Sequence, residues 1–113
     1  MSKKIVSLSK NQDFKTLLEG KKFSNKYVTV FFKELINKSK NKLYISFVAK
    51  KKLGNAVKRN KIKRRLRNIM DEAMKTINMD LNYSYLFIAK KNIYDANYKI
   101  IKETILKDLT KVR

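Results

Sequence analysis

The 113-residue chain contains no cysteine, histidine, proline or tryptophan, and it has only two glycines. Without cysteine it can form neither disulfides nor thiolate zinc sites, and it has no thiol nucleophile. Without histidine it also lacks the most common general base and metal ligand at neutral pH. Catalysis by this chain alone is therefore not expected, and neither catalytic nor metal-binding residues are predicted.

Acidic residues and long hydrophobic runs are also scarce. Only nine carboxylates stand against 29 lysines and arginines, and they are scattered, whereas a two-metal nuclease needs several that converge on one spot. No apolar run approaches the roughly 18 residues that suggest a membrane span, and no hydrophobic segment resembles a signal peptide. We therefore expect a cytoplasmic protein that does not bind membranes.

The formal net charge of +20 and the pI of about 10.2 predict a polyanionic partner. Such unbalanced charge attracts nucleic acid from a distance and repels itself in the free protein. The length leaves room for one domain. The prediction is a single RNA-binding domain over residues 1–113, in which residues 1–9 form a loosely ordered arm.

The positive charge is concentrated between residues 50 and 67, which hold ten basic residues and no acidic one. Four of the five arginines of this lysine-rich chain lie between Arg59 and Arg67. An arginine side chain presents a planar fork of donors that can bind two phosphate oxygens at once. This concentration favours a binding site for structured RNA.

The same stretch has helical periodicity, and the predicted helix continues to about Ile77. At about 100° per residue, the apolar side chains fall on one stripe, namely Ile62, Leu66, Ile69, Met70, Ala73 and Ile77. The polar side chains of Asn60, Lys61, Lys63, Arg64 and Arg67 fall on the other side. An ordinary helix with a solvated basic face is the alternative, but such faces usually mix charges of both signs.

The remaining pattern predicts strands over residues 27–32, 43–49 and 83–90, and helices over residues 11–19 and 95–110. A polar turn at residues 37–41 makes the first two strands an antiparallel hairpin. The order α-β-β-α-β-α predicts an α+β fold, a two-layer α/β sandwich with the helices on one face of a small mixed sheet.

The two faces of the predicted hairpin differ. Alternate positions form an apolar face from Val28, Val30, Phe32, Ile45, Phe47 and Ala49. The opposite face mixes aromatic, hydroxyl and basic groups, from Tyr27, Thr29, Phe31, Tyr44, Ser46, Val48 and Lys50. Such a face can stack bases while lysines hold the backbone. Alternatively, its aromatic side chains only cover the first helix, and Phe14 of that helix only fills the core.

Residues 51–67 read KKLGNAVKRNKIKRRLR. This stretch resembles the signature of the bacterial ribonuclease P protein subunit, in which Lys-Lys-x-Gly-x-Ala-Val leads into a helix opening Arg-Asn-Arg-x-Lys-Arg-x-x-Arg. Arg59, Asn60, Lys63, Arg64 and Arg67 match its spacing. Lys61 stands where the family usually has arginine, and a lysine ammonium lacks the planar fork with which arginine binds two phosphate oxygens.

The resemblance implies a role in tRNA processing. Ribonuclease P is a ribonucleoprotein endonuclease that removes the 5′ leader of precursor tRNA, and its RNA subunit carries the reaction with Mg²⁺. The protein subunit, expected as one copy per RNA, binds that RNA and the leader. The resemblance also implies a short additional strand, which residues 22–25 can supply, and a left-handed βαβ crossover.

The resemblance further implies two groups of site residues. The catalytic RNA would be bound by Lys51, Lys52, Arg59, Asn60, Lys61, Lys63, Arg64 and Arg67. The leader would lie in a cleft formed by Phe14, Tyr27, Phe31, Ser46, Val48 and Lys50, with Lys52 at its edge. Aromatic side chains can hold a single strand without reading much of its sequence.

Three other functions remain open from sequence. A ribosomal-type RNA scaffold protein would share the size and charge, but it gives no reason for a mixed aromatic face. A DNA-binding regulator would need a recognition helix in compact helix-turn-helix spacing, which is not present here. An autonomous nuclease would cleave precursor tRNA without an RNA subunit.

Because the surplus of positive charge opposes folding, anions should stabilise the free protein. We expect added sulfate to raise the melting temperature above that in chloride of equal ionic strength. Thermal unfolding followed by circular dichroism measures the effect. An unchanged melting temperature would contradict this account of the self-repulsion.

Overall fold

The computed structural model describes residues 4–36, 38–39 and 41–112. It contains a five-stranded mixed sheet and three helices, which confirms the predicted combination of helices and sheet. The strands are β1 (Lys4–Ser7), β2 (Lys21–Ser24), β3 (Val28–Lys33), β4 (Lys42–Val48) and β5 (Ser84–Ala89). The helices are α1 (Asn11–Leu18), α2 (Ala56–Thr76) and α3 (Tyr98–Leu109), and short 3₁₀ turns span Lys51–Leu53 and Lys91–Ile93.

The strands are ordered β1-β4-β5-β3-β2 across the sheet. β5 pairs in parallel with β4 and antiparallel with β3, so β3 and β4 are not neighbours. The predicted hairpin between residues 27–32 and 43–49 was therefore wrong. Of the turn predicted at residues 37–41, residues 37 and 40 lie outside the described ranges. The additional short strand expected near residues 22–25 is present as β2, antiparallel to β3.

The prediction of a loosely ordered arm over residues 1–9 was wrong from residue 4 onwards. β1 pairs in parallel with β4, with Ile5 opposite Leu43. The Leu8 N–H donates to the Ile45 carbonyl at 3.0 Å, and the Leu8 side chain is buried. The apolar residues of this segment therefore complete one edge of the sheet. Residues 1–3 lie outside the described part of the chain.

The predicted α+β fold is confirmed, but its helices do not all lie on one face, because the sheet has a core on each face. On the first face, α2 and α3 pack against Val30, Ile45 and Phe87 of the three central strands. On the second face, Leu17 of α1 packs with Leu86 of β5. The alternation of side chains along the strands explains this division, because successive residues of a strand point to opposite faces.

α2 begins with a side-chain cap and a glycine turn. The Asn55 Oδ1 accepts a hydrogen bond from the Lys58 backbone N–H at 2.9 Å, which satisfies one of the free donors at the start of the helix. Gly54 has a φ of 141°, a conformation that residues with a β-carbon rarely adopt. Gly54 thus turns the chain from the 3₁₀ turn after β4 into the basic helix.

The inner stripe of α2 is buried as predicted, with Ile62, Leu66, Ile69, Met70 and Ala73 each at most 1% exposed. α3 begins at Tyr98 rather than Asp95, because the Asn97 side chain caps it by accepting from the Lys99 N–H at 2.9 Å. Together these two helices cover the first face of the sheet.

Gly20 ends the loop after α1 in a place that has no room for a side chain. A β-carbon there would lie 2.6 Å from the Phe32 carbonyl oxygen and 2.8 Å from the Lys33 Cβ. Gly20→Ala is therefore expected to lower the free energy of unfolding by about 1–3 kcal/mol. Urea denaturation measures this change, with Glu19→Ala at the exposed neighbouring position as the control. Equal unfolding midpoints for the two variants would show that the loop relaxes freely.

Candidate nucleic-acid interface

The outward side of α2 presents polar and basic side chains that project away from the core. Asn60, Arg64 and Arg67 are exposed, and Lys63 is half-buried. Among the residues that the structure describes, the two ion pairs are Lys38–Asp13 and Lys102–Glu72. No cation between residues 50 and 67 therefore has a carboxylate oxygen within 4.0 Å in the described part of the chain. This outward side is free to take an external anion.

The other two signature residues of α2 lie differently from the exposed group. Arg59 is half-buried at the end of the apolar stripe, and its Nε is buried without a hydrogen-bond partner among the described residues. Lys61 points towards Tyr94, with its Nζ 5.8 Å from the ring centroid. The structure therefore divides the polar residues that helical periodicity had placed together on one side.

A cavity of about 370 Å³ lies where the parallel strands β4 and β5 end. Three apolar residues and four lysines line it. The lining residues are Lys50, Lys52, Leu53, Ile88, Ala89, Lys90 and Lys91. The Lys90 Nζ donates to the Asn25 carbonyl at 2.6 Å, so this ammonium is partly held by the protein itself. The cavity thus combines apolar side chains with several cations.

Sequence reasoning found Lys50 and Lys52 but missed the contribution of β5 to this cavity. In the parallel pairing of β4 with β5, Val48 lies opposite Ile88. This pairing brings Ile88, Lys90 and Lys91 to the cavity. The carboxyl ends of parallel strands meet at one edge of a sheet, so correct pairing would have brought these lysines together. Because β3 and β4 were predicted to pair as a hairpin, this proximity of the lysines was not predicted.

Three predicted cleft residues share the second face of the sheet. Phe14, Phe31 and Val48 are half-buried and pack around the cluster of Leu8, Leu17, Leu35 and Leu86. Ile88 belongs to the same cluster and also lines the cavity, so the aromatic surface and the cavity adjoin each other. The Lys22 Nζ lies 5.7 Å from the Phe31 ring centroid. These aromatic groups therefore pack between α1 and the sheet, and Ile88 links their cluster to the cavity.

Tyr27 does not belong to this surface, which corrects its predicted place on the same face as Phe31. It is 7% exposed and packs in the core on the first face of the sheet. The Asn25 Oδ1 accepts hydrogen bonds from the Tyr27 and Val28 N–H groups, at 2.8 and 3.0 Å, and so turns the chain just before β3. Strand alternation begins only after that turn.

Ser46, another predicted cleft residue, is half-buried in β4 opposite Leu86.

Lys51 and Lys52 are exposed on the 3₁₀ turn between β4 and α2. They therefore lie between the cavity, which Lys52 lines, and the outward side of α2. Along the chain, exposed basic residues therefore extend from the ends of β4 and β5 to Arg67 of α2.

Within the described ranges, no group of three or more Asp or Glu side chains is arranged to hold a metal ion. None of the helices in those ranges is both long and apolar enough to cross a lipid bilayer.

The sequence was also compared with known protein families and proteins. A sequence model of the family described as Ribonuclease P matches residues 2–113. The chain belongs to the ribonuclease P protein family. The ribonuclease P protein component of Streptococcus pneumoniae serotype 4 is 33% identical over 105 residues, which span 92% of this chain and 81% of the relative.

Solved ribonuclease P proteins share the fold. The protein from Thermotoga maritima superposes with a TM-score of 0.79 at 25% identity, over 96% of this chain and 98% of its own. The protein from Staphylococcus aureus gives a TM-score of 0.75 at 25% identity, over 93% of this chain and 92% of its own. The mixed five-stranded sheet with three helices is therefore the fold of ribonuclease P proteins.

Proposed function

We propose that this chain is the accessory protein subunit of a ribonuclease P holoenzyme. It binds the catalytic RNA through the basic side of α2 and binds the 5′ leader of precursor tRNA in the lysine-lined cavity and the adjoining aromatic surface. It thereby aids the Mg²⁺-dependent endonucleolytic removal of the leader. The observation that carries this proposal is the run of ten basic residues between Lys50 and Arg67, none of which has a carboxylate partner among the described residues.

The outward side of α2 suits a folded RNA. Arg64 and Arg67 are one turn apart and exposed, so their guanidinium groups can each bind phosphate oxygens of a closely packed backbone. The N-terminus of α2 adds the positive end of the helix dipole on the same part of the surface. The Asn55 cap satisfies the Lys58 N–H, which leaves other first-turn donors available.

The cavity and the aromatic surface suit a single strand. Phe14 and Phe31 offer ring surface on which bases can stack, while Lys50, Lys52 and Lys91 can neutralise the phosphates. Stacking and charge neutralisation tolerate any sequence, which a subunit that handles many different leaders requires. The protein thus contributes affinity for the substrate and its positioning, and no bond-breaking group.

In this proposal Mg²⁺ belongs to the RNA subunit, as the resemblance of residues 51–67 implies. The side chains of this chain assist by lowering the repulsion between the phosphates of the catalytic RNA and those of the leader. The protein should therefore matter most when Mg²⁺ is scarce. One protein per RNA and a cytoplasmic location remain predictions.

Cleavage of precursor tRNA by a bacterial ribonuclease P RNA at low Mg²⁺ tests the proposed function. We expect the protein to restore cleavage that the RNA alone performs poorly, and to cleave nothing by itself. Arg64→Ala should weaken assembly with the RNA. It should also make the dependence of affinity on salt shallower, by about 0.7–0.9 for each phosphate that the variant no longer neutralises.

The control is Lys75→Ala, which removes one exposed charge from the same helix beyond the basic stretch. It should assemble like the wild-type protein. If the RNA is equally active with and without the protein, a general RNA-binding scaffold becomes the better account. Cleavage by the protein alone would instead indicate an autonomous nuclease.

Phe31→Leu tests the cleft separately, because leucine retains apolar volume but removes the ring face. The reconstituted holoenzyme should bind precursor tRNA more weakly by about 1–3 kcal/mol for each base that no longer stacks. Affinity for mature tRNA, which has no leader, should not change. Fluorescence titration with substrates of different leader length measures both. An equal loss for the two substrates would mean that Phe31 supports the fold rather than the leader.

A further inference from the structure

A second group of cations lies on the side of α2 that faces Tyr94. The Lys58 Nζ is 4.2 Å from the centroid of the Tyr94 ring, the Lys61 Nζ is 5.8 Å from it and the Arg65 Cζ is 6.0 Å from it. The Arg65 Nη1 also donates to the Tyr94 backbone carbonyl at 3.3 Å. Positions separated by three and four residues share one side of a helix, so these three cations form a row.

This row lies apart from the outward group. Successive residues of a helix point about 100° apart, so Arg64 lies between two rows of cations. Lys63 and Arg67 lie on one side of Arg64, whereas Lys58, Lys61 and Arg65 lie on its other side. Of the second row, only Lys61 occupies a defined position of the ribonuclease P signature, and the family usually has arginine there.

The three cations on the Tyr94 side of α2 have no carboxylate partner among the described residues. Neither described ion pair includes a member of this row. Glu72, the next acidic residue on this side of α2, lies 3.1 Å from the Lys102 Nζ of α3 and so already has a cation. Asp95 follows Tyr94 in the sequence and is exposed, but it makes no ion pair in the described structure.

The Tyr94 ring cannot neutralise three positive charges. The negative face of an aromatic ring attracts a nearby cation only weakly at a partly exposed site. The three cations still repel one another, and a polyanion would remove that repulsion. The hydrogen bond from Arg65 to the Tyr94 carbonyl fixes the position of the guanidinium before any partner binds, which lowers the entropic cost of binding.

We propose that Lys58, Lys61, Arg65 and Tyr94 form a second RNA contact of this protein. It takes phosphate groups of nucleotides in the RNA subunit other than those bound by Lys63, Arg64 and Arg67. The ring of Tyr94 positions the three cations. This inference rests on the proposed function, since it assigns a second surface for the same RNA partner.

Hydroxyl-radical footprinting of a ribonuclease P RNA tests the proposal with matched charge losses. Lys58→Gln with Arg65→Gln removes two charges from the Tyr94 side, and Lys63→Gln with Arg67→Gln removes two from the outward side. Lys107→Gln with Lys111→Gln removes two exposed charges near the end of α3 as the control. Melting temperatures in sulfate verify that each variant folds.

We expect the first two variants to lose protection at different nucleotides, and the control to retain the wild-type pattern. The salt dependence of binding should become shallower for both, by about 0.7–0.9 for each phosphate that is no longer neutralised. A wild-type pattern for the Lys58 and Arg65 variant would overturn the proposal, and so would loss at the same nucleotides as the Lys63 and Arg67 variant. If the wild-type protein protects no nucleotide, the proposed function itself fails.

Tyr94→Leu and Tyr94→Phe separate the role of the ring from that of the charges. The leucine variant should bind the RNA about two- to fivefold more weakly, while the phenylalanine variant, which retains the ring, should bind like wild type. When Lys58 and Arg65 are already replaced by glutamine, adding Tyr94→Leu should cause no further loss of affinity. Equal affinity of Tyr94→Leu and wild type would overturn the positioning role of the ring.

Discussion

The basic surface of this protein depends on burial of the apolar stripe of α2 against the sheet. As an isolated helix, a segment with so many like charges at neighbouring turns would be weakened by their repulsion, and most helical stability in proteins comes from packing. Ile62, Leu66 and Ile69 provide that packing, since each is almost completely buried. The core therefore holds cations at fixed spacings that an unfolded chain would avoid.

The position of β5 at the centre of the sheet has a comparable effect on the cavity. Because β4 and β5 are parallel neighbours, the residues that follow both strands meet at one edge. That edge brings Lys50 and Lys52 next to Lys90 and Lys91, although they are distant in the sequence. Crevices at the carboxyl ends of parallel strands are common ligand sites in α/β proteins. The topology accordingly concentrates positive charge beside apolar and aromatic surface.

The comparison of sequence with structure separates local from long-range information. The inner stripe and length of α2 could be predicted because helical periodicity depends only on nearby residues. Strand pairing depends on segments far apart, so the hairpin was wrong and the cavity residues of β5 were missed. Tyr27 was misplaced because a turn around Asn25 interrupts the alternation before β3. The cations around Tyr94 could not be found either, since only the fold brings α2 to that ring.

The acidic residues of α2 show where its contact with RNA should end. Asp71 is the first carboxylate on the side of Arg64 and Arg67, and Glu72 is the first on the side of Lys61 and Arg65. Both sides thus change from purely basic to mixed charge at the same turn, and there Glu72 pairs with Lys102 of α3. An RNA that reaches both sides would meet the helix only up to Arg67, before Asp71. Beyond Asp71 the helix carries charges of both signs, and one of them, Glu72, is paired within the protein.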